Sequence, residues 1–179
     1  ICADETVDIQ IDFTGYGNYE IEYAIDGVQP ADSPLLDVLD NPLILAVADA
    51  GDYTLVSVAN DFCAGTVQGN AVVVVNPLPT ATLSGSGSFC EGGSLDLTID
   101  MTGAADWDVE IANDIDSDGV IDFTETITFS NPSETYTVSD SLMWFIDSVV
   151  DANGCSNTLN SDTALVMIDP LPTVEFTFG

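Results

Sequence analysis

The chain repeats itself. Ala71–Thr80 reads AVVVVNPLPT and returns as ALVMIDPLPT at Ala164–Thr173. Each copy is a run of apolar strand formers closed by a Pro-x-Pro joint, after which a new strand begins. A proline has no N–H for a sheet ladder and pushes its predecessor to extended geometry. Pro77, Pro79, Pro170 and Pro172 therefore end pairing while keeping the chain stretched. The correspondence runs upstream as well: Cys2 answers to Cys90, Asp12-Phe13-Thr14-Gly15 to Asp100-Met101-Thr102-Gly103, Tyr19 to Trp107, and Cys63 to Cys155. A repeat of this kind fixes architecture before any single motif does. We expect residues 1–77 to form one repeat and residues 78–171 a second. Residues 172–179 read as the first strand of a further repeat. The first repeat lacks that opening strand. Either the chain is a window on a longer array, or the tail strand completes the first repeat of a neighbouring molecule.

Within each repeat the apolar residues alternate. Val7, Ile9, Ile11 and Phe13 share one face, and Tyr19, Ile21, Tyr23 and Ile25 another. Leu95, Leu97, Ile99 and Met101 repeat the first set, and Trp107, Val109 and Ile111 the second. Period-two alternation marks half-buried strands. Shorter strands are expected at Leu43–Ala48, Tyr53–Val58, Thr66–Val75, Thr80–Ser84, Phe123–Phe129, Tyr136–Val138, Met143–Val150 and Ala164–Ile168. Gln29–Pro34 reads as loop, and Gly85–Ser88 as a turn. No stretch has helical periodicity. Short strands with frequent turns predict an all-β protein of two tandem β-sandwiches joined by a Pro-x-Pro linker. Tyr19 and Trp107, at equivalent positions, read as core aromatics; stacking on a sugar is the other use of such a residue.

The chain has no Lys, Arg or His against 31 Asp and Glu, a formal charge of −31, yet 46% of it is hydrophobic. That hydrophobic share separates it from disordered acidic tails. No salt bridge between side chains is possible. Nucleic acid and anionic membrane surfaces are repelled, so neither is an expected partner, and no apolar run is long enough to insert into a membrane. The four cysteines fall as one pair per repeat, which favours Cys2–Cys63 and Cys90–Cys155 over the two other connectivities. Such bridges imply an oxidising compartment and would each stabilise a repeat by roughly 4 kcal/mol in the chain-entropy picture. With no His and no Cys-x-x-Cys pair, a zinc site is not expected.

The sharpest chemical signal is the stretch Asp114–Glu125. Counting from Asp114, carboxylates fall at positions 1, 3, 5, 9 and 12, as Asp114, Asp116, Asp118, Asp122 and Glu125. Gly119 stands at 6 and Ile121 at 8. This resembles the twelve-residue loop of an EF-hand. A hard cation takes six to eight oxygens at about 2.4 Å. The three leading aspartates, the Val120 carbonyl, Asp122 and a bidentate Glu125 would supply them. The flanks read as strands, so only the ion site carries over. The expectation is a structural Ca2+ on a β-hairpin; the plainer reading is a solvated acidic tip.

Cys-Glu-Gly-Gly-Ser at 90–94, Thr102-Gly103, Val150-Asp-Ala-Asn-Gly-Cys155 and a strand ending in Asp-Pro-Leu-Pro-Thr together resemble the tandem immunoglobulin-like or PKD-like repeats of giant Bacteroidota cell-surface adhesins and filaments exported by the type IX system. The resemblance implies immunoglobulin-like sandwiches in an extended extracellular rod at the cell surface. Neighbouring repeats or copies of the same protein, end to end, are the implied partners. Three functions follow. The first is a non-catalytic structural module. The second is a module that binds a glycan or a surface protein. The third, an accessory domain of a secreted enzyme, is weakest: no His or Lys is available as a base near neutral pH, and a Ser-His-Asp triad lacks its base. The charge itself yields a prediction. Raising NaCl from about 10 mM to about 150 mM shortens the Debye length from about 30 to 8 Å. The melting temperature is expected to rise over that range, as measured by circular dichroism.

Overall fold

Apolar alternation on Val7–Ile11 and Tyr19–Ile25 gives each segment one face that must be covered, and the protein covers them by stacking sheets. The computed structural model describes residues 1–115, 120–159 and 162–177. Among these every regular element is a strand. The chain forms two compact units, Ile1–Asn76 and Pro77–Gly179.

The first unit holds β1 (Val7–Ile11), β2 (Tyr19–Ile25), β3 (Leu35–Val38), β4 (Leu43–Val47), β5 (Gly51–Asn60) and β6 (Asn70–Val73). One sheet is the antiparallel pair β1-β4; the other runs β3-β2-β5-β6. The second unit holds β7 (Thr80–Ser84), β8 (Gly87–Cys90), β9 (Leu95–Thr102), β10 (Trp107–Asp114), β11 (Phe123–Phe129), β12 (Ser133–Val138), β13 (Met143–Asp151), β14 (Ser156–Thr158) and β15 (Thr163–Asp169). Its sheets are β12-β9-β7 and β11-β10-β13-β15-β8, with β14 pairing β13. The plan is shared: β9, β10, β11, β12, β13 and β15 repeat β1 to β6. The opening strand β7 pairs with β9, whereas β1 pairs only with β4 among the described residues.

Each unit carries the same irregularity. Glu22 lies opposite Ser57 but Tyr23 opposite Leu55; Glu110 lies opposite Ser148 but Ile111 opposite Ile146. One extra residue, Val56 or Asp147, thus makes a β-bulge that shifts the inward phase. This is why buried Trp144 and Ile146 give way to buried Val149 and Asp151, out of step by one. Three strands escape the alternation rule. β3, with sequence Leu-Leu-Asp-Val behind Pro34, and β14 are short and mostly polar or exposed. β8 covers part of the expected turn and is held by parallel main-chain pairing to β15.

The second core is closed: Leu97, Ile99, Val109, Ile111, Val149 and Val166 are fully buried around Trp107 and Trp144. In the first unit Ile9, Leu55 and Val58, at the places of Leu97, Ile146 and Val149, are only half-buried. Both tryptophans and Tyr19 are core residues, and Trp107 Nε1 donates to the Thr102 carbonyl at 2.9 Å.

The expected intradomain disulfides do not form. Cys63 and Cys90 are exposed free thiols, while Cys2 and Cys155 are buried and disulfide-bonded. Strand topology gives the reason. Cys2 bridges Asn76 beyond the Gly51 end of β5, whereas Cys63 folds back on Asn60 at the other end, its carbonyl accepting from Asn60 N at 2.9 Å. Ten residues of strand rise about 33 Å, and a disulfide needs Cα atoms within about 7 Å. The second unit is alike: Cys90 pairs with Asp169 past one end of β13, and Cys155 accepts from Asp151 N at the other. Equivalent placement in sequence therefore means opposite poles in space.

Both tryptophans lie in the second unit, so their fluorescence reports its unfolding alone. Leu97→Ala is expected to cost that unit about 2–5 kcal/mol, read as a lowered urea midpoint. Ile9→Ala, at the equivalent position of the first unit, should leave the tryptophan transition in place.

Candidate functional site

The acidic stretch forms the tip of the β10-β11 hairpin, whose last paired rung is Asn113–Phe123. Asp122 N donates to the Asn113 carbonyl at 3.0 Å, and Ile115 N donates to Asp122 Oδ2 at 2.7 Å. The tip is thus pinned at its base, with the Asp122 carboxylate turned across it. Asp114 ends β10 half-buried, and Val120 is exposed. Asp116 and Asp118 lie outside the described residues.

Glu125 stands two rungs below Phe123, opposite the fully buried Ile111. Directly opposed residues share a face, so its carboxylate points toward the other sheet, where it accepts from Tyr136 Oη at 3.0 Å. Among the described residues, no three metal-ligating side chains gather. Asp114, Asp122 and the Val120 carbonyl are oxygen donors of the kind a hard divalent ion takes; Glu125 is already engaged.

Two residues at the hairpin base escaped the sequence reading. Asn113 is 2% exposed, and its Oδ1 has no hydrogen-bond partner among the described residues; nor does Nε1 of Trp144, directly across the ladder. A buried polar atom without a partner costs about 1–3 kcal/mol, so such atoms mark where water or an ion belongs. The sequence signal was a lone Asn after a strand of apolar inward positions. Phe123 and Tyr136 meet Trp144 edge-on, at 6.1 and 5.6 Å between centroids, and close the site from below.

Where β5 and β13 lead into their cysteine loops, an Asx side chain organises the loop. Asp151, 5% exposed, accepts from Ala104 N at 3.0 Å, Asn153 N at 3.0 Å and Cys155 N at 3.1 Å. Asn60 does the same work in the first unit, accepting from Phe62 N at 3.0 Å and Cys63 N at 2.8 Å. Gly103, at φ +108°, makes room: a Cβ there would sit 2.9 Å from Asp151 Oδ2. The first unit's pole exposes Tyr16 and Phe62 beside Cys63, at 89% and 78%. These are isolated aromatics rather than a stacked pair, and both tryptophans are inside.

Burial, then the hydrogen bond to Glu125 and that carboxylate's charge, push the Tyr136 phenol up to about 12. Tyr23 rises to about 12 as well, through burial and its bonds to Asp32 at 2.9 and 2.8 Å.

A family profile for the Ig-like domain of nucleoporin POM152 matches residues 1–72. Among solved structures, a marsupial T cell receptor chain is similar at 12% identity with a TM-score of 0.64, over 98% of this chain and 72% of that one. No curated protein sequence matches. At that identity the likeness establishes the fold, an immunoglobulin-like β-sandwich architecture.

The raised phenols carry a sign. Folding favours their neutral form, so their contribution is complete below pH 10 and is lost as pH climbs from 10 through 12. Stability followed by tryptophan fluorescence should fall across that window, and Tyr136→Phe should flatten the fall.

Proposed function

We propose that the chain is a non-catalytic structural module of an extended extracellular surface filament or adhesin, joined end to end to like modules and stiffened by calcium at the β10-β11 hairpin. The observation that carries this reading is the duplication. Two units share one strand plan, one bulge and one placement of cysteines, and each leads into the same Pro-x-Pro motif. Buried tryptophans and a chain without His or Lys give an enzyme little to work with, and immunoglobulin-like folds are generally non-catalytic. The Bacteroidota surface-protein reading rests on the motif resemblance at Cys90–Ser94 and Val150–Cys155. A glycan-binding role has less support, because Trp107 and Trp144 lie in the core. Antibody raised against the chain should decorate fibres on intact source cells; staining confined to the cytoplasm would overturn the reading.

For calcium, Asp114, Asp122, the Val120 carbonyl and Oδ1 of Asn113 are the described oxygens that would hold it, with Asp116 and Asp118 completing the set. The ion would offset repulsion among the clustered carboxylates. At a calcium concentration about a hundredfold above Kd, stabilisation approaches 2.7 kcal/mol, which moves the melting temperature of a unit this size by about 10 °C or more. Chelator should reverse the shift, and Asp116→Ala should abolish it. A melting temperature indifferent to millimolar calcium in the unaltered chain would remove the ion from the proposal.

A further inference from the structure

In the second unit β7 lies along β9 with Ala81 and Leu83 buried, and it packs over β13 and β15. In the first unit the same place is a groove. Three clefts follow one another between β1 and the β5-β6 side, of about 550, 300 and 370 Å3. Their walls include Ile9, Ile11, Phe13, Leu55 and Val58. These are the residues whose second-unit counterparts are fully or almost fully buried.

The chain also holds a strand that would fill the groove. Thr173–Thr177 repeats the pattern of Thr80–Ser84, with Val174 in the place of Ala81 and Phe176 in that of Leu83. It pairs with no strand among the described residues, and Val174 and Phe176 are 90% and 91% exposed. Transferred from the β7-β9 register, Val174 falls opposite Phe13 and Phe176 opposite Ile11.

The cysteines point to the same joint independently. Cys90 sits at the pole where the second unit ends, on the rung of Asp169 beside the start of the tail. Cys63 sits past the Asn60 end of β5, the pole that corresponds to the one where β7 enters the second unit, and lies within the first cleft. Both are exposed thiols. Their equivalents in the other unit, Cys2 for Cys90 and Cys155 for Cys63, are both oxidised.

We propose that two copies of this chain join head to tail: residues 173–177 of one copy add as a strand beside β1 of the next, and Cys90 of the first forms a disulfide with Cys63 of the second. This rests on the modular reading above and names the partner as a second copy. Strand addition supplies main-chain hydrogen bonds, with side chains in pockets for register. The covalent step needs a small disulfide such as oxidised glutathione. The Cys90 thiolate attacks one of its sulfurs, forming a mixed disulfide and releasing one glutathione thiolate. The Cys63 thiolate then attacks the Cys90 sulfur and releases the second. Two protein thiols lose two electrons and two protons; one oxidised glutathione becomes two reduced.

The test mixes Cys63→Ser protein, which keeps Cys90, with Cys90→Ser protein, which keeps Cys63, in a glutathione redox buffer. Products are read on non-reducing gels and by mass spectrometry of the linked peptides. The mixture should give a Cys90–Cys63 heterodimer at least about tenfold above the dimer formed by either variant alone, since a docked strand raises the effective thiol concentration. Phe176→Asp in the Cys63→Ser protein, which donates the tail, should lower the yield about tenfold; the same change in the Cys90→Ser protein should not. Phe176 is exposed, so this substitution leaves folding alone. No heterodimer, or homodimers in equal amount, overturns the joint; indifference to Phe176→Asp overturns its strand. If either happens while Cys2 and Cys155 stay oxidised and calcium still raises the melting temperature, the modular reading stands and only self-joining falls.

Discussion

Because the chain has no Lys, Arg or His, every carboxylate that the fold draws in must be answered by an N–H or an O–H. The sheets do this across strands. Ser57 donates to Glu22 at 2.6 Å and Ser148 to Glu110 at 3.1 Å, at the same rung of the two units. Thr128 donates to Asp108 and Thr137 to Asp96, each at 2.6 Å. Tyr136 and Tyr23 serve Glu125 and Asp32. Cross-strand hydroxyl–carboxylate pairs stand here where other sheets place ion pairs. They differ in kind: a hydroxyl is a compact donor with its own acceptor capacity, and it does nothing to lower the net charge.

The same constraint explains why the one deeply buried carboxylate among the described residues is where it is. Asp151 is surrounded by main-chain donors of two loops, and three N–H bonds hold a carboxylate without a cation. Asn60, its counterpart, achieves the turn with a neutral side chain. The fold needs an Asx oxygen at this point, and either residue supplies it. At the acidic hairpin one carboxylate, that of Asp122, is likewise answered by a main-chain N–H, from Ile115.

Much of this was legible in the residues. Val7–Phe13, Tyr19–Ile25, Leu95–Met101 and Trp107–Ile111 alternate cleanly and become strands with the expected faces. At Gly87–Cys90 Phe89 alone is an apolar side chain packed on the core, the rest being held by parallel pairing to β15, and a single apolar residue beside Gly and Ser does not announce a strand. The disulfides were misread for a different reason. Equal spacing of Cys2–Cys63 and Cys90–Cys155 says that the two repeats are alike, but does not say that the members of a pair are near each other; only the direction of β5 and β13 decides that. Asn113 and Trp144 were invisible as a pair, because their register across β10 and β13 depends on the bulge at Asp147.

The position of the sulfurs has a mechanical consequence. In each unit the two cysteines sit off opposite ends of one long central strand, β5 or β13. A load applied at one pole and resisted at the other runs along that strand. It pulls parallel to the strand, so the flanking ladders bear it together, in shear, rather than peeling apart one bond at a time.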